Sequence, residues 1–179
     1  MKNIITALFA AAFVLPAVAE EKGFTSLFDG KTLKGWDGKK EFWSVQDGAI
    51  QGKTTKEIPT KGNTFIIWKG GTVADFELKF EYRFLTKSGN SGCQYRSEDM
   101  GNNVVKGYQG DFEAGTRYSG INYGEKTGRG ILADRGTKTT LGDGKTKKKV
   151  ERFGDSAELQ KKLKGQGEWN TMHINAKGN

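Results

Sequence analysis

Carboxylate and amide side chains recur at every second residue of the segment Gly107–Gly115, in the middle of the chain. Gln109, Asp111 and Glu113 fall on one face if the segment is an extended strand, because alternate side chains of a strand point the same way. Carboxylates abstract protons, and carboxylates and amides together hydrogen-bond the hydroxyl groups of sugars. The spacing therefore predicts a polar sheet face suited to sugar recognition, with an ordinary solvated face as the alternative.

A second polar segment, Asn90–Asp99, has the same alternation. Gln94 and Arg96 share one face, opposite Cys93, which we expect to be inert in the core. If this segment pairs with Gly107–Gly115, the side chains of both strands form one patch of amide, guanidinium and carboxylate groups. A structural Arg–carboxylate pair across the strands would give the same pattern.

The segment Ser119–Gly136 is rich in glycine and contains Glu125 and Arg129. Its G-x-G fragments follow no strand–helix pattern, so phosphate binding is weakly indicated, and a binding loop is the prediction. The chain has one Cys and one His, which excludes a disulfide within the chain and Cys-rich or multi-His metal sites. The single histidine, His173, is interpreted as structural, with a general acid or base role as the alternative.

The elements that must position these residues are strands. Asp75–Leu85 alternates aromatic or aliphatic with charged side chains without error, which predicts an antiparallel strand. One helix is predicted at Ser156–Leu163, with Asp155 or Ser156 as its cap. Turn signals separate the other predicted strands, which are Thr25–Phe28, Phe42–Gln46, Ala49–Gly52, Thr64–Trp68, Gly92–Ser97, Tyr108–Glu113, Gly120–Tyr123 and Trp169–Ala176. Many short strands and almost no helix predict a sandwich or jelly roll.

The two ends of the sequence predict a cleaved signal peptide at the start and further strands beyond the last residue. Residues 1–19 have a basic start, an apolar run and a small-x-small exit, which predict a signal peptide and export to the periplasm or beyond. No second membrane-spanning candidate follows in the remaining 20–179 domain. A turn at Lys177–Asn179 after the last predicted strand indicates that further strands follow, so the domain is expected to be truncated.

The net charge of +8 is concentrated in the last third of the chain. Lys126–Asn179 holds 13 basic and 6 acidic residues, mainly in Gly142–Arg152 and Gln160–Gly165. No nucleic-acid-binding motif accompanies these lysines, so nucleic acid is not predicted as a partner. A solvated loop and helix face is the preferred interpretation, and a surface that contacts acidic polymers is a weaker one.

Five ordered motifs give the chain a resemblance to a known family. FTSLFDGKTLKGW at the start is similar to the family's opening FxxLFDGKxLxGW, and FWSVQDGAIQG to its WxVxDGxIxG. The middle segments, DFELKFEYR with NSGCQYRS and then VKGYQGDF with GRGILADRG, occur in the family's order, and GEWNTMHINAKGN is similar to its GEWNxxxIxAxGN. The chain thus resembles the 3-keto-disaccharide hydrolase domain family over Phe24–Asn179. The resemblance implies a concanavalin A-like jelly roll of two antiparallel sheets.

The resemblance also implies a chemistry. A ketone at sugar carbon 3 acidifies the hydrogen on carbon 2, so a base removes it, the glycosidic oxygen leaves, and water then adds. Asp111 is the expected base and Glu113 the second choice, with Arg96 stabilising the negative oxygen. The expected substrate-binding residues are Gln94, Gln109, Arg129, Asn90 and Glu125. A divalent cation is allowed but not required, and the oligomeric state is left open. A non-catalytic carbohydrate-binding module is the alternative, since jelly rolls serve both roles.

Overall fold

The structure, a computed structural model, describes residues 21–142 and 147–178. The predicted signal peptide at residues 1–19 lies outside these ranges. The described residues form twelve strands, which are β1 Trp36–Asp37, β2 Trp43–Gln46, β3 Ala49–Gly52, β4 Ile67–Trp68, β5 Phe76–Tyr82, β6 Asn90–Asp99, β7 Val105–Glu113, β8 Asn122–Glu125, β9 Gly130–Ala133, β10 Thr137–Leu141, β11 Lys147–Arg152 and β12 Asn170–Ala176. One short helix, α1, spans Ser156–Gln160.

All strand pairings are antiparallel, and the largest sheet has the order β6-β7-β8-β9. β12 pairs with β5, so the last described strand returns to a strand near the middle of the chain. The remaining pairs are β1 with β4, β2 with β3, and β10 with β11. The all-β prediction is confirmed, and the arrangement is that of a jelly-roll sandwich. The strands form one four-stranded sheet and separate two-stranded ladders rather than two continuous sheets.

Aromatic side chains join the four-stranded sheet to the β5–β12 ladder. Phe112 of β7 stacks on Tyr82 of β5 with ring centroids 4.3 Å apart, and it contacts Phe80 at 5.9 Å. Phe76 meets Tyr95 of β6 edge to face at 6.4 Å. Because these contacts use one face of β6 and β7, the opposite face of the same sheet carries the residues of the other parity.

The alternation in β5 accounts for its two faces. Phe76, Leu78 and Phe80 are half-buried against the partner sheet, whereas Glu77 and Lys79 are exposed. Neighbouring positions of a strand point to opposite faces, so the predicted strand is confirmed.

The Asp47–Gly48 pair connects β2 to β3 with positive φ at both residues, 49° and 76°, as a tight hairpin requires.

The helix is present and capped as predicted, but shorter. The Asp155 carboxylate accepts hydrogen bonds from the backbone N–H groups of Ala157 and Glu158, at 2.8 and 2.9 Å. The helix ends at Gln160, three residues before the predicted end at Leu163. Aspartate at this position stabilises the first turn by satisfying N–H groups that have no partner within the helix.

Three sequence interpretations are corrected by the structure. The predicted strand at Thr25–Phe28 is not regular structure. The glycine-rich segment Ser119–Gly136 is not a loop, because it contains β8 and β9, which pair with each other. The lysine-rich stretch was interpreted as a solvated loop, yet its described part forms β11 against β10. Among the described residues, no helix is long and apolar enough to cross a membrane.

Candidate functional site

The candidate site lies on the face of the four-stranded sheet that is turned away from the aromatic layer. Pairing of β6 with β7 sets Gln94 opposite Gln109 and Gly92 opposite Asp111. Residues directly opposite on an antiparallel pair share a face, so the predicted Gln94, Gln109 and Asp111 are brought together. Pairing of β7 with β8 adds Tyr123 beside Gln109 and Glu125 opposite Gly107.

A directed chain of hydrogen bonds crosses this face and ends on a carboxylate. The Ser97 hydroxyl donates to Gln94 Oε1 at 2.9 Å, and Gln94 Nε2 donates to Gln109 Oε1 at 2.6 Å. Gln109 Nε2 in turn donates to Asp111 Oδ1. Each amide uses its oxygen toward one neighbour and one N–H toward the next, which leaves one N–H on each amide for a ligand. This chain of hydrogen bonds fixes the orientation of the Asp111 carboxylate.

Glycine at position 92 makes this arrangement fit. A Cβ placed on Gly92 would lie 2.5 Å from both Cγ and Cδ of Gln109, far inside van der Waals contact. The Gln109 side chain therefore occupies the space that a side chain on the neighbouring strand would fill. Gly92 thereby allows Gln109 to extend along the sheet toward Asp111.

Asp111 is buried, and its backbone is fixed on both sides. Its side chain belongs to a residue that is only 5% exposed. The Asp111 N–H donates to the carbonyl of Ile121 at 3.1 Å, and its carbonyl accepts from the N–H of Gly120 at 2.9 Å. The backbone that carries the Asp111 carboxylate is therefore fixed by the adjacent segment.

Burial raises the pKa of Asp111 to about 6 from its ordinary value of 3.8. The hydrogen bond from Gln109 opposes the increase, because it stabilises the charged form. The nearby negative charges of Glu125 and Glu113 add to it. A carboxyl group whose pKa lies this close to neutral pH can take up and release a proton under physiological conditions, as a general base must.

Glu125 is also buried, at 7% exposure, and is held from a distant part of the chain. The side-chain amide of Asn63 donates to Glu125 Oε2 at 3.2 Å. The sequence predicts Glu125 as a substrate-binding residue, and in the structure its negative charge also acts on Asp111. Asn63 was not predicted, because no spacing rule connects residues 62 positions apart.

Glu113 is the second choice for the base, and its carboxylate accepts hydrogen bonds from backbone N–H groups. Its Oε1 accepts from the N–H groups of both Arg117 and Tyr118, at 2.6 Å each. The buried Ser119 hydroxyl closes the same turn, accepting from the Glu113 N–H at 2.9 Å. These contacts stabilise the turn between β7 and β8. Glu113 thus lies at the edge of the site, whereas Asp111 is part of the hydrogen-bonded chain.

Arg96 lies at an irregularity of β6. Its φ is +47°, and the β6–β7 register shifts between Tyr95 and Glu98. This β-bulge re-aims the side chain, whose Nη2 donates to the carbonyl of Ala74 at 3.2 Å and lies 3.3 Å from Asp75 Oδ1. The structure thus pairs Arg96 with the segment leading into β5 and does not bring it to Asp111.

Two further predicted binding residues stand apart from the hydrogen-bonded chain. Arg129 lies in the turn between β8 and β9, and its Nη2 donates to the carbonyl of Gly142 at 3.0 Å. Its Nε is buried without a hydrogen-bond partner among the described residues. Asn90 is exposed at the start of β6, opposite Glu113.

Cys93 and His173 have no contact with this face. Burial raises the pKa of the Cys93 thiol to about 11, which keeps it protonated and unreactive, in line with the inert interpretation. His173 is exposed on β12, with Nε2 3.3 Å from Glu77 Oε2. No group of three or more His, Cys, Asp or Glu side chains within the described residues could hold a metal ion.

The fold and this face define a class: an all-β jelly-roll sandwich with a buried carboxylate and two amides on one sheet face. The chain belongs to the 3-keto-alpha-glucoside-1,2-lyase-like domain family, whose model matches residues 23–179. It is 30% identical over 107 residues to a 3-keto-disaccharide hydrolase of Bacteroides thetaiotaomicron. That match covers 51% of this chain and 35% of the relative, so the chain spans well under half the relative's length. No solved structure matches the chain.

Proposed function

We propose that this domain cleaves the glycosidic bond of 3-keto-glycosides, with Asp111 as the general base. The family and the relative named as a 3-keto-disaccharide hydrolase support this substrate class. The single observation that carries the proposal is Asp111 itself. It is a buried carboxyl group with a pKa raised to about 6, oriented by a chain of hydrogen bonds on a polar sheet face.

In the proposed reaction, the ionised Asp111 removes the proton on carbon 2 of the sugar, next to the ketone at carbon 3. The electron pair of that C–H bond first gives an enolate with its charge on the ketone oxygen, and it then forms a double bond between carbons 1 and 2. The bond from carbon 1 to the glycosidic oxygen breaks, and this oxygen takes up a proton as the alcohol leaves. Water then adds across the double bond, so one glycoside and one water give one 3-keto sugar and one alcohol.

The residues around Asp111 fit separate parts of this sequence. Removal of the carbon 2 proton places negative charge on the ketone oxygen, which needs hydrogen-bond donors. The free N–H groups of Gln94 and Gln109 are donors on the same face as Asp111. Glu125 and the burial of the site keep Asp111 basic enough to accept the proton near neutral pH.

The decisive experiment uses Asp111→Asn. Asn retains the shape of Asp and can still accept the hydrogen bond from Gln109, but it cannot act as a base. We expect the wild-type protein to release free sugar from a 3-keto-disaccharide, and the variant to lose turnover by about a hundredfold or more, the usual contribution of a general base. Glu77→Gln, an exposed change on the opposite layer, is the matched control and should leave turnover unchanged.

The outcome separates catalysis from binding alone. Retained sugar affinity without any sugar release by the wild-type protein would favour the carbohydrate-binding module. Undiminished turnover by Asp111→Asn would show that another group is the base. Activity should be measured with and without a chelator, because a divalent cation that stabilises the negative oxygen would make turnover sensitive to its removal.

A further inference from the structure

A cleft of about 380 Å³ lies outside the hydrogen-bonded chain that ends on Asp111. Its lining combines apolar groups, among them Phe42 and Val104, with polar side chains that include Lys61, Asn63 and Asn102. This volume is within the range of small-molecule sites, and such sites usually combine apolar walls with a few polar groups. An apolar wall that covers a ring face, with donors and acceptors around it, suits a sugar ring.

Backbone contacts fix the walls of the cleft. The Phe65 N–H donates to the carbonyl of Asn103 at 3.0 Å, which joins the segment before β4 to the turn before β7. Asn103 Nδ2 donates to the carbonyl of Asp37 at 3.2 Å, which joins the same turn to β1. Asn102 and Asn103 both have positive φ, 54° and 56°, so the turn has one specific shape. The cleft is therefore formed before any ligand binds.

One residue connects the cleft to the candidate active site. Asn63 lines the cleft, and its side-chain amide donates to Glu125 Oε2 at 3.2 Å. Glu125 pairs with Gly107 on β7, and its charge acts on Asp111. Gly107 precedes Asp111 by four positions on the same strand, a span of about 13 Å. The backbone positions of Gly107, which pairs with Glu125, and of Asp111 are thus separated by more than the length of one sugar ring.

We propose that the cleft binds a second part of the substrate, a sugar ring on the leaving side of the scissile bond and beyond the ring that reacts at Asp111. This inference rests on the proposed function, because that reaction defines which part of the substrate is the leaving group. The ring lies against the exposed Pro59 and the half-buried Val104, and Lys61 and Asn102 hydrogen-bond its hydroxyl groups. The domain then prefers 3-keto-glycosides whose leaving group is an oligosaccharide over those with a small leaving group.

Kinetics with two substrates test this preference. The substrates share the 3-keto ring, but one has a methyl leaving group and the other a disaccharide leaving group. Lys61→Ala and Asn102→Gly each remove one polar group from the cleft, and glycine suits the positive φ of position 102. We expect each variant to lower kcat/KM for the longer substrate about two- to tenfold, the value of one hydrogen bond, through KM. Turnover of the methyl glycoside should not change. Lys56→Ala, an exposed lysine of the same segment outside the cleft lining, is the matched control and should match wild type.

Binding tests the cleft even if the protein hydrolyses neither substrate. Calorimetry of the full chain with an unoxidised trisaccharide should give weaker binding for Lys61→Ala and Asn102→Gly than for wild type and Lys56→Ala. This result would support the cleft although the proposed reaction had failed. Equal losses for both kinetic substrates, or trisaccharide binding unaffected by either cleft variant, would overturn the proposal.

Discussion

At the scale of the single residue, the proton affinity of Asp111 depends on groups with opposite effects. Burial is the largest cause of its raised pKa, and the charge of Glu125 acts in the same direction. The hydrogen bond from Gln109 acts in the other direction. Substitutions at these two neighbours should therefore move the ionisation of Asp111 in opposite directions, which separates an electrostatic role from simple damage to the site.

Glu125→Gln removes a negative charge near Asp111 and keeps an oxygen for the amide of Asn63. Ionised Asp111 then becomes easier to form, so its pKa falls. We expect the acid limb of the kcat/KM profile, which lies near pH 6 in the wild type, to move to lower pH in this variant. The pH dependence of kcat/KM on a 3-keto-disaccharide measures the shift. An unchanged limb would mean that the limb does not report Asp111.

Gln109→Leu gives the opposite expectation. It removes the donor that stabilises the Asp111 carboxylate, so the pKa of Asp111 rises and the acid limb moves to higher pH. The same profile measures it, and a limb that moved in the same direction as in Glu125→Gln would contradict the hydrogen-bonded arrangement. Tyr108→Phe, at the neighbouring position on the other sheet face, is a control that should leave the limb in place.

The residue scale also marks where prediction from sequence stops. Alternation placed Gln94, Gln109 and Asp111 on one face, because a strand repeats every two residues. The same rule placed Arg96 with them, yet a bulge with positive φ interrupts β6 at that residue. An arginine gives no local signal for this backbone conformation, which non-glycine residues seldom adopt. Asn63 was missed for a different reason, since its contact to Glu125 depends on the tertiary fold.

At the scale of the element, strong patterns predicted strands well and lysine-rich sequence did not. β5 was recognisable from alternation, and β12 lies within the strand predicted at Trp169–Ala176; the two are paired over seven residues. β11 contains Lys147–Lys149, which reads as a solvated segment, and it is a strand because β10 pairs with it. β-propensity depends on packing and pairing more than on residue type, so whether a segment such as β11 forms a strand depends on the strand beside it.

The β9–β10 connection depends on a glycine that another residue could not replace without cost. Gly136 has φ +76°, and a Cβ there would lie 2.5 Å from the carbonyl oxygen of Gly154. The adjacent Arg135 ties this turn to the carbonyls of Ser119 and Ser156, at 2.5 and 3.1 Å. Gly136 therefore belongs to the packing that holds the helix region against the β7–β8 turn.

Gly136→Ala should destabilise the fold both through the positive φ and through the clash, by roughly 1–3 kcal/mol. Gly62→Ala is the matched control, because Gly62 has φ +86° but no atom within 4 Å of its Cβ position. Urea unfolding of both variants measures the difference, and the clash should make the loss of unfolding free energy larger for Gly136→Ala. Equal losses would mean that the backbone gives way without cost at Gly136.

A glycine pair on the central sheet tests the site in the same way. A Cβ at Gly92 conflicts with the Gln109 side chain at 2.5 Å, whereas at Gly110 it would meet Ile174 Cδ1 at an ordinary 3.5 Å. Gly92→Ala should displace Gln109 from Asp111 and lower kcat/KM by about tenfold or more, in keeping with the effect of misplaced groups on rate. Gly110→Ala lies on the other face and should retain most of the activity. Similar losses in both variants would show that the sheet, rather than Gln109, is what the substitution perturbs.

At the scale of the whole molecule, the free-energy cost of burying an ionised Asp111 opposes the stabilisation that a small apolar core provides. The buried hydrophobic residues among the described part of the chain are Phe42, Val105, Ile121, Leu132, Ile174 and Ala176. Buried polar residues on the candidate site face are Gln109, Asp111 and Glu125. Since folded domains are stable by only about 5–15 kcal/mol, keeping an ionised Asp111 buried consumes a measurable part of the total.

The cost of that charge should appear in the pH dependence of unfolding. Asp111 has a pKa of about 6 when folded and close to 3.8 when unfolded, so the folded chain binds its proton more tightly. The stability contributed by the protonated group is present in full below about pH 4 and is lost as the pH rises to about 6. Asp111→Asn has no such group. Its unfolding free energy relative to wild type should rise across this window and then level off, by at most about 3 kcal/mol. Urea unfolding of both proteins from pH 4 to pH 8 measures the difference. A difference that stays constant with pH would show that Asp111 ionises in the fold as it does in the unfolded chain, and would remove the physical basis for its role as a base.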